Sequence, residues 1–165
     1  AAVAIIAEIL NQHRPRIIFM PHDQDWNQTH IGTHYLVRDA LQQTAAEWHC
    51  LVIETEFWGA MDKPNLMVES SCEQVTELVS ALALHRGEIA RNPYHLRLPA
   101  WMIDNVRRGA ELVNGQGAKA PDYSFATLYR LRRWANRELQ PILDNGYNIS
   151  CDDDLSHLLS LSLWK

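Results

Sequence analysis

The most informative segment of this 165-residue chain runs from Pro21 to His34, where several side chains able to do chemistry lie close together in sequence. It reads PHDQDWNQTHIGTH and contains three histidines and two aspartates: His22, Asp23, Asp25, His30 and His34. In a helix, the last two histidines lie one turn apart on the same face, where both are able to reach one ion as neutral imidazoles. The pattern indicates a metal or catalytic site, and the alternative is an ordinary polar loop with capping aspartates.

An apolar run precedes this segment and a helical pattern follows it. Residues 17–20 (IIFM) predict a buried strand that Pro21 ends. Residues 28–48 predict a helix, on whose face Val37, Leu41 and Ala45 follow the two histidines. Strand, polar loop and helix in this order are typical of ligand sites at the carboxyl ends of strands in open α/β sheets.

The rest of the chain alternates between helical and strand patterns. We expect helices over residues 1–13, 71–91, 99–113 and 152–163, and strands over residues 50–57 and 65–69. Residues 123–131 fit either a strand or the start of a helix, and Ser150 with Asp153 fits a capping-box variant that opens the last helix. The alternation predicts one α/β domain over residues 1–165, Rossmann-like, with a mostly parallel sheet flanked by helices.

Composition restricts the partners and the compartment. The hydrophobic content of 47% is enough to bury a core, and the net charge of -5 argues against a nucleic-acid partner. The arginine run at residues 130–137 is expected to be the solvated face of a helix. Three widely spaced cysteines support neither a disulfide framework nor a thiolate zinc knuckle and favour a reducing cytoplasm. No signal peptide or membrane-spanning run is visible, and a homo-oligomer stays open.

The first residues begin inside a helical pattern. Residues 1–13 carry an apolar stripe but neither an initiator Met nor a capping residue. We expect a fragment whose natural amino-terminal part is absent, although a processed or engineered start gives the same pattern.

The run from Arg14 to Leu41 resembles the second signature block of the PIG-L/LmbE-like zinc-dependent N-deacetylases, which remove acetyl groups from N-acetylglucosamine conjugates. In that block a strand ending in Pro leads through an Asp-rich loop to His-x-Asp-His, whose last His binds zinc. Here the block ends in Asn27-Gln28-Thr29-His30, so the resemblance implies His30 as a zinc ligand. Weaker similarity follows in order along the chain, at residues 54–58, 64–66, 82–89, 108–111 and 125–126.

Two departures separate the sequence from the family pattern. The family's first motif, Ala-His-Pro-Asp-Asp-Glu, supplies the other zinc His, a zinc Asp and the general-base Asp, and nothing in this sequence matches it. The resemblance therefore implies the carboxy-terminal portion of a deacetylase domain, without its first strand-helix unit. Within the block, Asn27 replaces the His that helps to stabilise the oxyanion, and Thr29 replaces its Asp partner. Asn27 is able to donate a hydrogen bond but cannot shuttle a proton, so His22 and His34 are candidates for the acid.

Amide hydrolysis gives the remaining residues expected roles. A zinc ion lowers the pKa of bound water to about 7 and so supplies a nucleophile at neutral pH. The helix dipole keeps His30 neutral near a helix amino terminus, which leaves a lone pair for the metal. Asp23 and Asp25 are expected to fix the imidazole tautomer, and Trp26 and Trp58 to hold the sugar with their aromatic faces.

The leading hypothesis is thus a zinc-dependent hydrolase that removes an acetyl group from an N-acetylated amino sugar, with Asn27, Asp25 and His34 as the catalytic set. Its rival is a catalytically inactive relative of the same fold that binds a sugar or a nucleotide. A generic Rossmann cofactor domain is disfavoured because the glycines at 115 and 117 lack a third glycine after a strand. Glu54 and Glu56 share one strand face and are interpreted as structural or rim residues.

Overall fold

The computed structural model describes residues 1–56 and 58–154, which form an α/β fold with a mixed six-stranded sheet flanked by helices. The five described helices are α1 (Ala2–His13), α2 (Gln28–Leu41), α3 (Cys72–Ala83), α4 (Arg86–Arg91) and α5 (Tyr94–Leu112). The six strands are β1 (Ile17–Pro21), β2 (Cys50–Thr55), β3 (Leu66–Ser70), β4 (Phe125–Ala135), β5 (Glu138–Pro141) and β6 (Tyr147–Ile149). No helix in these residues is both long enough and apolar enough to cross a membrane.

The sheet is mixed, which corrects the expectation of a mostly parallel one. Strand β1 is parallel to β2, and β3 is parallel to β6. Strand β4, however, is antiparallel to both β2 and β5. It joins β5 through a tight hairpin at Asn136 and Arg137, both of which have positive φ. A hairpin reverses the chain direction without a crossover helix, so the alternation of helical and strand patterns in the sequence does not reveal it.

The first compact unit comprises residues 1–64 with residues 129–144 and 154. Its sheet order is β1, β2, β4, with β5 on the other side of part of β4. Helices α1 and α2 pack on one face, over a core that includes Ala7, Leu10, Met20, Ala40, Leu41, Cys50, Val52 and Trp134. Trp134, which lies on β4, is only 1% exposed. A strand that is distant in sequence therefore closes the core formed by the amino-terminal segment.

The second compact unit comprises residues 65–128 and 145–153, with β3, β6 and helices α3 to α5. Its core contains Met67, Val106, Val113, Ala126 and Leu128. Helix α3 begins with a capping box, in which the Ser71 hydroxyl and the Gln74 side chain accept each other's backbone N–H. The buried Asn105 amide donates to the Ala126 carbonyl at 3.1 Å and ties α5 to β4.

Several predicted elements keep their place but change their bounds. The helix expected over residues 28–48 ends at Leu41, and the one expected over 71–91 is divided at residues 84–85 into α3 and α4. Helix α5 begins at Tyr94 and continues through Pro99, instead of starting there. Residue 57 of the expected strand 50–57, and residues 155–163 of the expected last helix, lie outside the described residues. Residues 152–154 of that expected helix are described and are not helical. Asp153 accepts the Ser150 N–H at 2.8 Å, which is one of the two hydrogen bonds of a capping box, but its own N–H bonds to the Ser150 carbonyl instead of the hydroxyl.

Two expectations about burial and charge were wrong. Strand β1 is buried on one face only: Met20 packs into the core, whereas Phe19 is 64% exposed. Alternate residues of a strand point to opposite faces, and the helices of this unit cover only the face of Met20. The arginine run is not a helix face, because Arg130, Arg132 and Arg133 lie on β4.

Candidate functional site

The candidate site is built on the loop of residues 22–27, which follows the carboxyl end of β1 and leads into α2. Asn27 is the N-cap of α2, where its side-chain oxygen accepts the Thr29 N–H at 2.9 Å. Asp25 Oδ1 in turn accepts the Asn27 N–H at 2.8 Å. The capping role uses the oxygen of the Asn27 amide, and its NH₂ group is the part able to donate to a ligand.

Asp25 is the centre of this loop and is only 3% exposed. Its carboxylate accepts hydrogen bonds from the backbone N–H groups of Asn27, Trp58 and Gly59 and from the ring of His30. Burial by itself raises the pKa of Asp25, but these donors outweigh it and hold the pKa below its ordinary value. The loop therefore contains a carboxylate that stays charged although it is buried.

His30 lies in the first turn of α2, with its Nδ1 3.0 Å from Asp25 Oδ2. A carboxylate only accepts, so Nδ1 carries the proton and Nε2 carries the lone pair. The imidazole is 22% exposed, whereas the carboxylate behind it is fully buried. Metal-binding histidines almost always donate their other ring N–H to a carboxylate, a backbone carbonyl or a water, and the Asp25–His30 pair has this arrangement.

His34, one turn further along α2, is held in a similar way but at a buried position. Its Nδ1 donates to the Pro21 carbonyl at 2.9 Å and lies 3.5 Å from Glu54 Oε1. The residue is 2% exposed. Its tautomer is therefore also fixed with the lone pair on Nε2, and the structure brings both α2 histidines to the carboxyl end of β1.

A buried ionic cluster lies behind His34, and sequence reasoning missed it. Glu54 is fully buried and accepts from Arg130 Nε and Arg132 Nη2, both at 2.5 Å. Arg130 Nη2 also donates to Asp23 at 2.6 Å. The strand register places Glu54 opposite Arg130, but this long-range antiparallel pairing has no local signal in the sequence. Glu54 is thus a buried ion-pair residue, not a rim residue.

Asp23 and His22 differ from their expected roles. Asp23 pairs with Arg130, not with an imidazole. Burial raises the pKa of Asp23, but the Arg130 guanidinium outweighs this and lowers it. His22 is fully buried, its Nε2 donates to the Gly59 carbonyl at 2.9 Å, and its Nδ1 accepts the Gln24 N–H at 3.1 Å. Because both ring nitrogens are engaged by backbone, His22 organises the loop and is not placed to act as an acid.

Trp26 and Trp58, the expected sugar contacts, lie together beside Asp25. Their ring centroids are 5.6 Å apart, and the rings are tilted by 50°. The Trp26 indole N–H donates to the Trp58 carbonyl at 2.8 Å, yet Trp26 remains 65% exposed. Trp58 is half-buried, so the exposed ring of Trp26, held against it, is the surface on which the apolar face of a sugar is able to pack.

His30 with Asp25 fits the chemistry of one zinc ligand. Residues 1–56 and 58–154 contain no group of three His, Cys, Asp or Glu side chains placed to hold a metal ion together. The described residues therefore supply one suitable ligand and do not complete a zinc site.

The comparisons with known proteins concern the fold. No protein-family model and no curated protein sequence matches the chain. Among solved structures, the crystal structure of the conserved protein TT1542 from Thermus thermophilus is similar, with a TM-score of 0.54 and 14% identity over 78% of this chain. The chain spans 57% of the length of that protein. At this identity the similarity shows a shared fold and nothing about activity.

Proposed function

We propose that this chain is part of a zinc-dependent N-deacetylase that acts on an N-acetylated amino sugar or its conjugate, in the cytoplasm, on an incomplete Rossmann-like fold. The observation that supports the proposal best is the pairing of His30 with the buried Asp25 carboxylate, beside the exposed ring of Trp26 and the half-buried ring of Trp58. This places one oriented imidazole next to a surface suited to a sugar, at the carboxyl end of a parallel strand.

The proposal gives each residue a task that its contacts permit. Asp25 holds the His30 ring so that Nε2 points away from the carboxylate. Asn27 is able to offer its NH₂ group to a carbonyl oxygen on which negative charge develops. His34, fixed through Nδ1, is the candidate to hold or move a proton at Nε2.

The metal supplies the part of the chemistry that these residues lack. A zinc ion, when bound, provides a water whose pKa is about 7. Its other ligands would have to come from residues outside the described set, because His30 is the one ligand that the resemblance implies among residues 1–56 and 58–154. The proposal therefore requires a His and an Asp with the role of the family's first motif.

The test uses the protein made from its complete coding sequence. We expect zinc by elemental analysis and release of acetate from N-acetylglucosamine, both lost in His30→Ala with retained circular dichroism. The control is His49→Ala, which removes an exposed histidine outside the site. Full acetate release by His30→Ala contradicts the proposal.

A second candidate is a catalytically inactive relative that binds a sugar through the same loop. The lack of a three-ligand group among residues 1–56 and 58–154 favours it. Under this alternative the protein binds N-acetylglucosamine, Trp26→Ala weakens the binding, and neither zinc nor acetate release is detected.

A further inference from the structure

Arg130 joins two parts of the candidate site through different atoms of one guanidinium group. Its Nη2 donates to Asp23 at 2.6 Å, and its Nε donates to Glu54 at 2.5 Å. Asp23 belongs to the loop of residues 22–27, whereas Glu54 lies on β2, 3.5 Å from His34 Nδ1. One side chain of β4 therefore bridges this loop and the carboxylate beside the second α2 histidine.

The bridge is shielded from water at its inner end. The Arg130 side chain is 14% exposed and the Glu54 side chain is fully buried, whereas the Asp23 side chain is 38% exposed. Burial by itself lowers the pKa of Arg130, but the carboxylates of Glu54 and Asp23 outweigh it and raise that pKa. The guanidinium therefore stays charged, and both of its hydrogen bonds belong to the stronger, charge-assisted class.

The geometry of the bridge requires an arginine. Nε and Nη2 are separate donors of one rigid planar group, so the two carboxylates that they bind are held at a fixed position relative to each other. A lysine carries the same charge on a single nitrogen at the end of a flexible stem, and it does not reproduce this fork. Arg130 thus fixes Asp23, and with it the loop, relative to β2.

Arg132 provides a comparison within the same cluster. The register of β2 and β4 places Arg130 opposite Glu54, and Arg132 follows two residues later on the same face of β4. Arg132 Nη2 also donates to Glu54, at 2.5 Å, but its Nε has no hydrogen-bond partner among the described residues. The two arginines share the contact with Glu54, and the ion pair with Asp23 distinguishes Arg130.

We propose that Arg130 is a positioning residue, which holds the loop of residues 22–27 where Asn27 and His30 are able to face the substrate. Asp25 ties this loop to the segment after β2, and Arg130 ties it to β4. This inference rests on the proposed function, because that function defines what the loop has to position. A misplacement of about 1 Å in such groups costs about a hundredfold in rate.

The experiment uses the protein made from its complete coding sequence and compares Arg130→Lys with Arg132→Lys. For acetate release from N-acetylglucosamine, we expect Arg130→Lys to lower kcat by about ten- to a hundredfold and to leave KM unchanged. The sugar still packs on Trp26, whereas the loop is displaced. Arg132→Lys disturbs the same carboxylate of Glu54 without touching the loop, so it should keep kcat within about threefold of the wild-type value.

Hydrogen exchange reports the position of the loop without reference to activity. The backbone N–H groups of Gln24 and Asn27 are hydrogen-bonded to other side chains of the loop. We expect Arg130→Lys to speed their exchange by about tenfold or more, as for the loss of one charge-assisted hydrogen bond. Arg132→Lys should leave their exchange unchanged, and an equal acceleration in both variants overturns the proposal, because the cluster would then only hold the sheet together.

Asp23→Ala is the second variant, and it cuts the bridge at its exposed end. It leaves Arg130 paired with the buried Glu54, so it tests the bridge even where Arg130→Lys unfolds the protein. We expect it to change exchange and kcat as much as Arg130→Lys does. The double variant should change neither any further, because both substitutions remove one interaction. Loop exchange at the wild-type rate in Asp23→Ala, or additive effects in the double variant, also overturns the proposal.

The two proposals fail in different ways. If Arg130→Lys and Asp23→Ala speed exchange in the loop, but the wild-type protein releases no acetate, the assignment of Arg130 to the loop holds and the deacetylase assignment fails. If the wild-type protein releases acetate and both variants release it at the same rate, Arg130 is not a positioning residue and the deacetylase assignment holds.

Discussion

Asp25 Oδ2 lies 3.0 Å from His30 Nδ1. Asp25 belongs to the loop before α2 and His30 to the first turn of α2, with the N-cap Asn27 between them in sequence. The carboxylate is buried and the imidazole is partly exposed, so the pair has a fixed interior member and a member that a ligand is able to reach. Two backbone N–H groups from the segment after β2, of Trp58 and Gly59, also bind this carboxylate. The geometry of the site thus depends on Asp25 more than on any other described residue.

Substitution of this carboxylate should change stability in a pH-dependent way. The pKa of Asp25 is lowered in the folded protein from its ordinary value of 3.8, so its charged form stabilises the fold above that pH. The stabilisation is lost as the pH falls through the folded-state pKa. We expect Asp25→Asn to lower the free energy of unfolding at pH 7 by about 1–3 kcal/mol and to have a smaller effect at pH 3. Urea titrations at both pH values measure this, with the exposed Asp39→Asn as control. An equal loss at both pH values would contradict the assignment.

Glu54→Gln should be more damaging than the loss of an exposed charge. The substitution leaves the Arg130 and Arg132 guanidinium groups without the buried carboxylate between them. Breaking a buried ion pair in this way costs about 3–5 kcal/mol. Chemical denaturation of Glu54→Gln beside the exposed Glu47→Gln measures the difference. A loss below about 1 kcal/mol would mean that the cluster is solvated in solution.

Alanine substitutions of the two α2 histidines should differ in their effect on zinc retention. In the complete enzyme we expect His30→Ala to abolish zinc retention, and His34→Ala to weaken it by no more than about ten- to a hundredfold. Asn27→Ala should leave zinc content unchanged and lower kcat by about ten- to a thousandfold, as for one lost polarising donor. Elemental analysis and acetate release separate these outcomes. Equal zinc loss in both histidine variants would instead make the His-x-x-x-His pair the ligand set.

The three free cysteines should react at different rates with a thiol reagent. Burial raises the pKa of Cys50 to about 12, which leaves very little thiolate at neutral pH. Cys72 and Cys151 are exposed, and the neighbouring Glu69 raises the pKa of Cys151. At about pH 8 we expect Cys72 to react first, Cys151 more slowly and Cys50 only on unfolding. Mass spectrometry of peptides after timed labelling gives the order, and early modification of Cys50 would show that the core opens locally.

Two glycine-to-alanine substitutions should have opposite effects on the free energy of unfolding. A Cβ on Gly146 would lie 1.8 Å from the Val113 carbonyl oxygen, so Gly146→Ala must displace the backbone before β6. We expect it to destabilise the protein by more than about 2 kcal/mol. Gly32→Ala, in the open interior of α2, should stabilise it by about 0.5–1 kcal/mol. Thermal unfolding of both variants tests the pair, and a neutral Gly146→Ala would refute the close approach.

Local patterns predicted the elements near the candidate site, and long-range pairing could not be predicted. The run at residues 17–20 and the histidine spacing each depend on neighbours in sequence, and β1 and α2 start where they indicated. The cap at Asn27 was not predicted. The direction of β4 depends on its pairing with β2, about eighty residues away. Nothing in residues 123–131 by themselves separates a strand from a helix start, which is why that segment was ambiguous.

The same distinction applies to the site. Asp25 and His30 are five residues apart, and their contact follows from the loop between them. Glu54 acquires its partners only when β4 pairs with β2, so a glutamate in a strand pattern was interpreted as structural or rim. The arginine run predicts a solvated helix face, whereas Arg137 lies at the second position of the hairpin turn, where glycine is preferred.

The distance in sequence between β2 and β4 also sets the order of events on the ribosome. Residues 1–64 supply α1, β1, α2 and β2, but their core is closed by Trp134. At about 5–20 residues per second, the ribosome needs several seconds after residue 64 to synthesise β4, the strand that contains Trp134. During this interval one edge of β2 has no strand to pair with, and an unpaired strand edge is prone to aggregation. A chain released before residue 135 would be expected to remain in that state and to be degraded.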